Sequence, residues 1–345
     1  MIVPSSTSSS DERLPKGPWL RIWVCGFAAA VLLLSGWEAR WRSRGWTPTI
    51  EAERETWVLA RMRVKPTSTV LLGTSRIAAA IDPLVWAATV GDEPPVMLAA
   101  EGEGSLPLLE DLASDTSFHG HLVVEMNPTV TWQRGAGSTG PLREYIRAYR
   151  ESQSSPARRW EAWLRTHVPS HLVFRRTELL PGRLVPAIIG RQRIREMHHS
   201  LRGDQFRPID FRLDGIGPNR PVVLDSARYR YIRRWGAPLV GPALDSLTRA
   251  IAASVARVQR RGGKVTFVVF QACGGRKLVE QELYPTAAYW NRLRAIPGVR
   301  AIDSDEYPGI ADVPCYDGSH IDVRDAPAVT RLVARLVARL VAPNP

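Results

Sequence analysis

Residues 68–76 read STVLLGTSR, an apolar run bounded by Pro66 and Gly73 and followed at once by Gly73-Thr74-Ser75-Arg76. A short β-rich run between two breakers is a strand, Ser68–Leu72, because nothing longer fits between them. The pattern repeats outward from it. Pro95–Ala100 reads as a second strand, followed by glycines at 102 and 104 and an apolar helical segment, Leu106–Leu112. His121–Met126 reads as a third strand, closed by Asn127-Pro128. Further on come a helix from Pro242 to Arg261, a stop at Gly262-Gly263 and the strand Lys264–Phe270. A helix near Ala287–Ala295, a short strand at Val299–Ile302 and an amphipathic helix, Ala326–Val341, complete the series. Strands separated by helix-length segments predict an α/β domain: a mainly parallel sheet with helices on its faces, a three-layer α/β/α sandwich of flavodoxin-like kind. No internal repeat is visible.

Residues 134–235 interrupt this rhythm and read as an insertion with helices of its own, around Leu142–Tyr149 and Arg158–Leu164. The formal net charge of the 345-residue chain is +12, and this insertion carries all of it, with 21 arginines against 9 acids. The arginines alternate with acids and tryptophans and form no nucleic-acid motif, so no nucleic-acid partner is expected. Anionic lipid headgroups or an acidic polymer suit the charge better. The 3 cysteines form no CxxC or Cys/His spacing, so neither a metal site nor a cofactor is expected.

Residues 1–18 are rich in Ser, Pro and Thr and read as a flexible tail on the cytoplasmic side. Residues 22–37, IWVCGFAAAVLLLSGW, carry no charge. With Trp19 and Leu20 they approach the roughly 20 residues that span a hydrocarbon core. Tryptophans at 19, 23, 37, 41 and 46 flank the run as an interfacial belt would. Residues 19–37 are therefore read as a single transmembrane anchor. A cleaved signal peptide and a buried core helix compete with that reading. Gly36-Trp37-Glu38 offers no small-x-small cleavage site, and a core helix does not carry charged, tryptophan-rich flanks. Arginines lie on both sides of the span, so charge does not set its orientation.

Chemistry concentrates at two places. Ser75 follows the first strand, at the carboxyl edge where open α/β sheets bind ligands. A serine hydroxyl needs a neighbouring base, and Asp317-Gly318-Ser319-His320 near the C-terminus supplies one: the spacing lets the carboxylate hold one imidazole nitrogen while the other faces a hydroxyl. The histidines at 119, 121, 167, 171, 198 and 199 form no partner pattern and read as structural or surface residues.

In these two motifs and their order the chain resembles the SGNH (GDSL-type) hydrolase superfamily, over roughly 68–131 and 242–341. The resemblance extends to a membrane-anchored subgroup that acylates polysaccharides and carries Gly-Ser/Thr-Ser-Arg at the nucleophile. It implies catalytic Ser75, Asp317 and His320. It also implies an oxyanion hole from the Ser75 backbone N–H, Gly102 or else Gly104, and Asn127. Thr74 replaces the usual aspartate before the serine, and Asn127 lacks the usual flanking Gly and Asp. The chain then divides into the tail (1–18), the anchor (19–37), a linker with an amphipathic helix from Ile50 to Met62 (38–65) and an SGNH-like domain (66–345) carrying the insertion.

Arg76 is read either as binding an anionic substrate or as pairing with an acid such as Asp82. Cys273 and Cys315 both fall near the carboxyl edge, either as a disulfide steadying the Asp317 loop in an extracytoplasmic domain or as two separate buried residues. The expected function is a membrane-anchored esterase acting on acyl esters of cell-envelope glycans. The alternatives are an O-acyltransferase with the same triad, and a degenerate domain that binds glycan or an integral membrane partner. With the anchor, the resemblance places the α/β domain outside the cytoplasm.

Overall fold

The computed structural model describes residues 18–50, 53–133, 141–190, 200–214, 232 and 237–341. It forms two compact units, residues 1–47 and 48–345. The first unit contains helix α1, Trp19–Arg42, which runs past the expected end at 37. It is long and apolar enough to cross a membrane, and none of its apolar window is buried. Trp41 stacks edge-on against both Trp37 and Trp46.

The second unit begins with α2, Glu53–Met62, in the stretch read as a linker. Its Trp57 is fully buried among residues of the sheet, so this helix belongs to the domain's core. Strand β1, Thr69–Gly73, leads to α3, Ser75–Ala80, and α4, Pro83–Val90. Next come β2, Val96–Ala99, α5, Leu106–Ser114, β3, His121–Glu125, and the single turn α6, Pro128–Thr131. The insertion contributes α7, Pro141–Ser154, α8, Pro156–His167, and α9, Pro181–Ile189. Helix α10, Gly241–Gln259, returns to the sheet at β4, Lys264–Val269. Helices α11, Gly274–Leu283, and α12, Trp290–Arg294, precede β5, Arg300–Asp303, and the chain continues through α13, Pro308–Ala311, to α14, Ala326–Val341.

The 5 strands are all parallel, in the order β2-β1-β3-β4-β5. Side chains alternate along each strand. Val70, Leu72, Leu122, Val124, Val265 and Phe267 pack with residues of α2, α5 and α10. Leu71, Met97, Val123, Val268 and Ile302 pack with residues of α3, α4 and α14. Burial on both faces is why the strands read as unbroken apolar runs rather than as alternating ones. Each fully buried aliphatic or aromatic side chain contributes about 1.5–3 kcal/mol, so these two clusters carry the fold. The strand order reverses direction between β1 and β3, and the crevice at such a switch point is where open α/β sheets place ligands.

Candidate active site

Gly73 ends β1, and Ser75 is the first residue of α3, with Thr74 as its cap. The neighbouring strand β3 ends in Glu125, which reaches under this turn. Its Oε2 accepts the Thr74 N–H at 2.7 Å and the Ile77 N–H at 3.3 Å, and the Thr74 hydroxyl donates to the same carboxyl at 3.0 Å. Gly73 is needed for space: a Cβ there would lie 2.5 Å from Glu125 Oε2 and 2.6 Å from the Ile77 side chain. The Arg76 N–H bonds Thr74 Oγ1, and the Ala78 N–H bonds the Thr74 carbonyl. Among the described residues, the Ser75 N–H is the amide of this turn left without an acceptor. Burial pushes the Glu125 carboxyl up, against the Thr74 amide and the Arg76 charge. Nothing in the sequence marks Glu125, which reads simply as the polar end of a strand.

Asp317 and His320 lie in a stretch without helix or strand, residues 312–325. Ser75 Oγ lies 2.7 Å from His320 Nε2, and His320 Nδ1 lies 2.7 Å from Asp317 Oδ2. A carboxylate only accepts, so Nδ1 carries the proton and Nε2 accepts from the serine hydroxyl. The other Asp317 oxygen accepts the backbone N–H groups of Ser319 and His320, each at 2.8 Å. Burial alone would raise the Asp317 carboxyl, but these bonds and the His320 ring hold it down at about 2. Cys273 and Cys315 form a disulfide with Cα atoms 5.8 Å apart. The Cys273 N–H also bonds the Gly318 carbonyl at 3.1 Å, so the tie extends into the loop itself.

Arg76 is buried, and its acidic partner is Glu280 rather than Asp82. Its side chain is 2% exposed and paired with Glu280 of α11, and it also donates to the Phe270 carbonyl and, at 3.1 Å, to Ser319 Oγ. Burial opposes both charges, yet Arg76 and Arg276 beside Glu280 hold its carboxyl below the usual range. Arg76 therefore braces Ser319, one of the two residues between Asp317 and His320. Asp82 caps α4 and pairs with Arg202 at 2.9 Å. The Arg76–Glu280 pair spans 204 residues, which no local pattern could signal.

Asn127 caps α6, its Oδ1 accepting from the Thr129 backbone and hydroxyl, and its Nδ2 lies 3.4 Å from Thr74 Oγ1. One amide hydrogen thus turns toward the nucleophile turn and the other is without an acceptor among the described residues. The Ala100 N–H bonds the Gly73 carbonyl at 2.9 Å, which brings the following loop alongside. Gly102 is exposed at the tip of that loop with φ +69°, so its glycine is required by backbone conformation. Among the described residues, no hydrogen bond joins Gly102 to Ser75 or His320. Gly104 is buried, and a Cβ there would lie 2.9 Å from the Val130 carbonyl. Glu101 pairs with Arg207 at 3.1 Å, and the same guanidinium reaches Glu53 at 3.2 Å.

That arginine reveals what the sequence missed about the insertion. One part of it, 200–214, returns to the carboxyl edge of the sheet: Arg207 N–H bonds the Ala78 carbonyl, and Val323 N–H bonds the Ile209 carbonyl. Phe211 packs edge-on against Tyr316, next to Asp317. His121 lies at the opposite, amino edge. It bonds Thr266 Oγ1 at 2.8 Å and is held neutral, at about 4, by burial and by Lys264. His198 and His199 lie outside the described residues. Among the described residues no group of His, Cys, Asp and Glu is arranged to hold a metal ion. Compared with models of known protein families the chain matches none, and no curated protein matches it significantly.

Proposed function

We propose that the chain is a serine hydrolase or O-acyltransferase of the SGNH type, a three-layer α/β/α domain held at a membrane by α1. The observation that carries this reading is the relay from Ser75 through His320 to Asp317, with both links at 2.7 Å. The strand order and the place of Ser75 after β1 accord with it.

Ser75 Oγ attacks an acyl carbonyl while His320 Nε2 takes its proton. Asp317 keeps the other nitrogen protonated and stabilises the imidazolium that results. Negative charge then develops on the carbonyl oxygen. The unengaged Ser75 N–H, with the Asn127 amide and the Gly102 loop as further donors, answers it. One such donor is worth about 3 kcal/mol. His320 returns the proton to the departing alcohol, leaving an acyl-Ser75 ester. Water then yields hydrolysis, and a sugar hydroxyl yields transfer.

The disulfide supports an extracytoplasmic domain, because such bonds persist in oxidising compartments. With the anchor, this favours an acylated glycan of the cell envelope as substrate. The test offers the full chain an aryl acetate with and without a glycan acceptor. Free acetate alone assigns an esterase, and acetylated glycan assigns a transferase. Turnover unchanged in Ser75→Ala overturns the assignment of the nucleophile, and turnover absent from the folded wild type under both conditions overturns the reading in favour of a binding domain.

A further inference from the structure

The compact unit hides its apolar side chains well except along 160–189. Among the described residues, 12 large apolar side chains of this unit are exposed, and 8 of them lie in this stretch. Trp160, Trp163, Leu164 and Val168 project from α8 and its end, while Leu180, Val185, Ile188 and Ile189 project from α9 and the residue before it. Ile188 is 62% exposed, Ile189 77% and Trp160 61%. Both helices are docked by their other sides. Ala162 and Thr166 of α8 are buried, with Thr166 Oγ1 3.3 Å from Thr56 of α2, and Leu184 of α9 is buried. The outward apolar residues are therefore not needed to hold the helices in place. Water alone gives no reason for so many in one stretch.

The charge of the same stretch identifies what covers it. Glu161 is paired with Arg165, and Glu178 with the buried Arg176. Arg159, Arg175 and Arg183 are exposed and have no acidic partner among the described residues. The stretch thus offers uncompensated arginines beside exposed aliphatic side chains and two tryptophans stacked with centroids 5.0 Å apart. This composition matches the boundary between anionic headgroups and acyl chains, where arginine meets phosphate and tryptophan sits at the interface. Chain connectivity points the same way. Only residues 43–47 separate α1 from the second unit, so a membrane-seated α1 confines that unit to the bilayer's vicinity.

We infer that α8, α9 and the turns between them form a second, peripheral membrane contact, specific for anionic lipid. It adds avidity to α1 and restrains the domain against the surface. The inference rests on α1 being seated in the bilayer but not on the triad's chemistry, so its failure leaves the hydrolase reading untouched.

The test uses the full chain in nanodiscs loaded with one copy each, in a Cys25→Ser background that leaves the disulfide intact. An environment-sensitive fluorophore is placed at Ile188→Cys. The control position is Leu278→Cys on α11, which is equally exposed at 63%. Discs of phosphatidylcholine alone are compared with discs containing phosphatidylglycerol, each with a lipid-borne quencher. Quenching at Ile188 is expected in the anionic discs only, with none at Leu278. Changing Arg159, Arg175 and Arg183 together to Ala should weaken that docking by about tenfold or more. Equal quenching at both positions in anionic discs overturns the inference. So does quenching that appears only with several copies per disc, which assigns the face to a second copy. Protection of Ile188 in native membranes but not in pure-lipid discs also overturns it, in favour of a protein partner.

Discussion

Ser75 and the Asp317–His320 pair proposed to activate it are held by opposite kinds of structure. Ser75 stands where a central strand becomes a helix, above a buried carboxyl that takes up the Thr74 and Ile77 amides. Asp317 and His320 stand in a loop without regular structure, fixed by local bonds and by the Cys273–Cys315 disulfide. Arg76 joins the halves, anchored on Glu280 behind the nucleophile and reaching Ser319 in the base loop. The nucleophile half is thus preorganised by burial, which is exposed to the loss of a hidden polar partner. The base half is preorganised by a covalent tie, which is exposed to reduction.

The largest effect comes from breaking the relay that spans the two halves. Ser75→Ala or His320→Ala should lower turnover of an activated ester by about 10⁶-fold, and Asp317→Asn by about 10⁴-fold through the wrong imidazole tautomer. Initial rates checked against unchanged circular dichroism measure this.

Breaking the nucleophile half alone comes next. Glu125→Ala leaves the Thr74 and Ile77 amides buried without an acceptor, at a cost of about 1–3 kcal/mol in urea unfolding for each. Misplacement of Ser75 should lower turnover by about 10²-fold. Glu125→Gln keeps an acceptor oxygen and should recover much of the stability.

Breaking the base half alone should give a smaller and differently distributed change. Replacing Cys273 and Cys315 by Ser removes a tie across 42 residues and should cost about 2–4 kcal/mol. Hydrogen exchange should then quicken across 312–325 while 73–80 stays protected. Equal quickening in both segments would show that the two halves are not independently supported.

These contrasts also explain what could be read in advance. The first four strands were legible because both sheet faces are buried there, which leaves four largely apolar runs bounded by Gly, Pro and Asn, whereas β5, RAID, is a short edge strand. Ser75, Asp317 and His320 were legible because triad spacing is local within each motif. Helices α3 and α4 were not, since SRIAAAIDPLVWAATV is apolar with no period and Asp82-Pro83 reads as a turn. The partners of the turn were hidden for a different reason. Glu125 and Glu280 reach Thr74 and Arg76 across 51 and 204 residues, and a buried carboxyl looks like any other acid in a list of residues. The place of 200–214 beside the site was hidden likewise, because its contacts at Ala78, Val323 and Tyr316 exist only once the sheet has formed.

The smallest effect concerns acid. The Asp317 carboxyl is held at about 2, below its ordinary 3.8. A depressed carboxyl contributes stability that is present above the ordinary value and lost as pH falls through the depressed one. The urea-unfolding midpoints of wild type and Asp317→Asn should therefore differ above pH 3.8 and converge near pH 2. Convergence already at neutral pH would mean that the carboxylate is not bonded to His320 as described.

The most direct measurement is covalent. A fluorophosphonate offered to the folded, disulfide-intact chain and mapped by peptide mass spectrometry should leave one adduct, on Ser75, that is lost in Ser75→Ala and in His320→Ala. No adduct on the wild type, or an adduct on another serine that persists in Ser75→Ala, would contradict the assignment of Ser75 as an activated nucleophile.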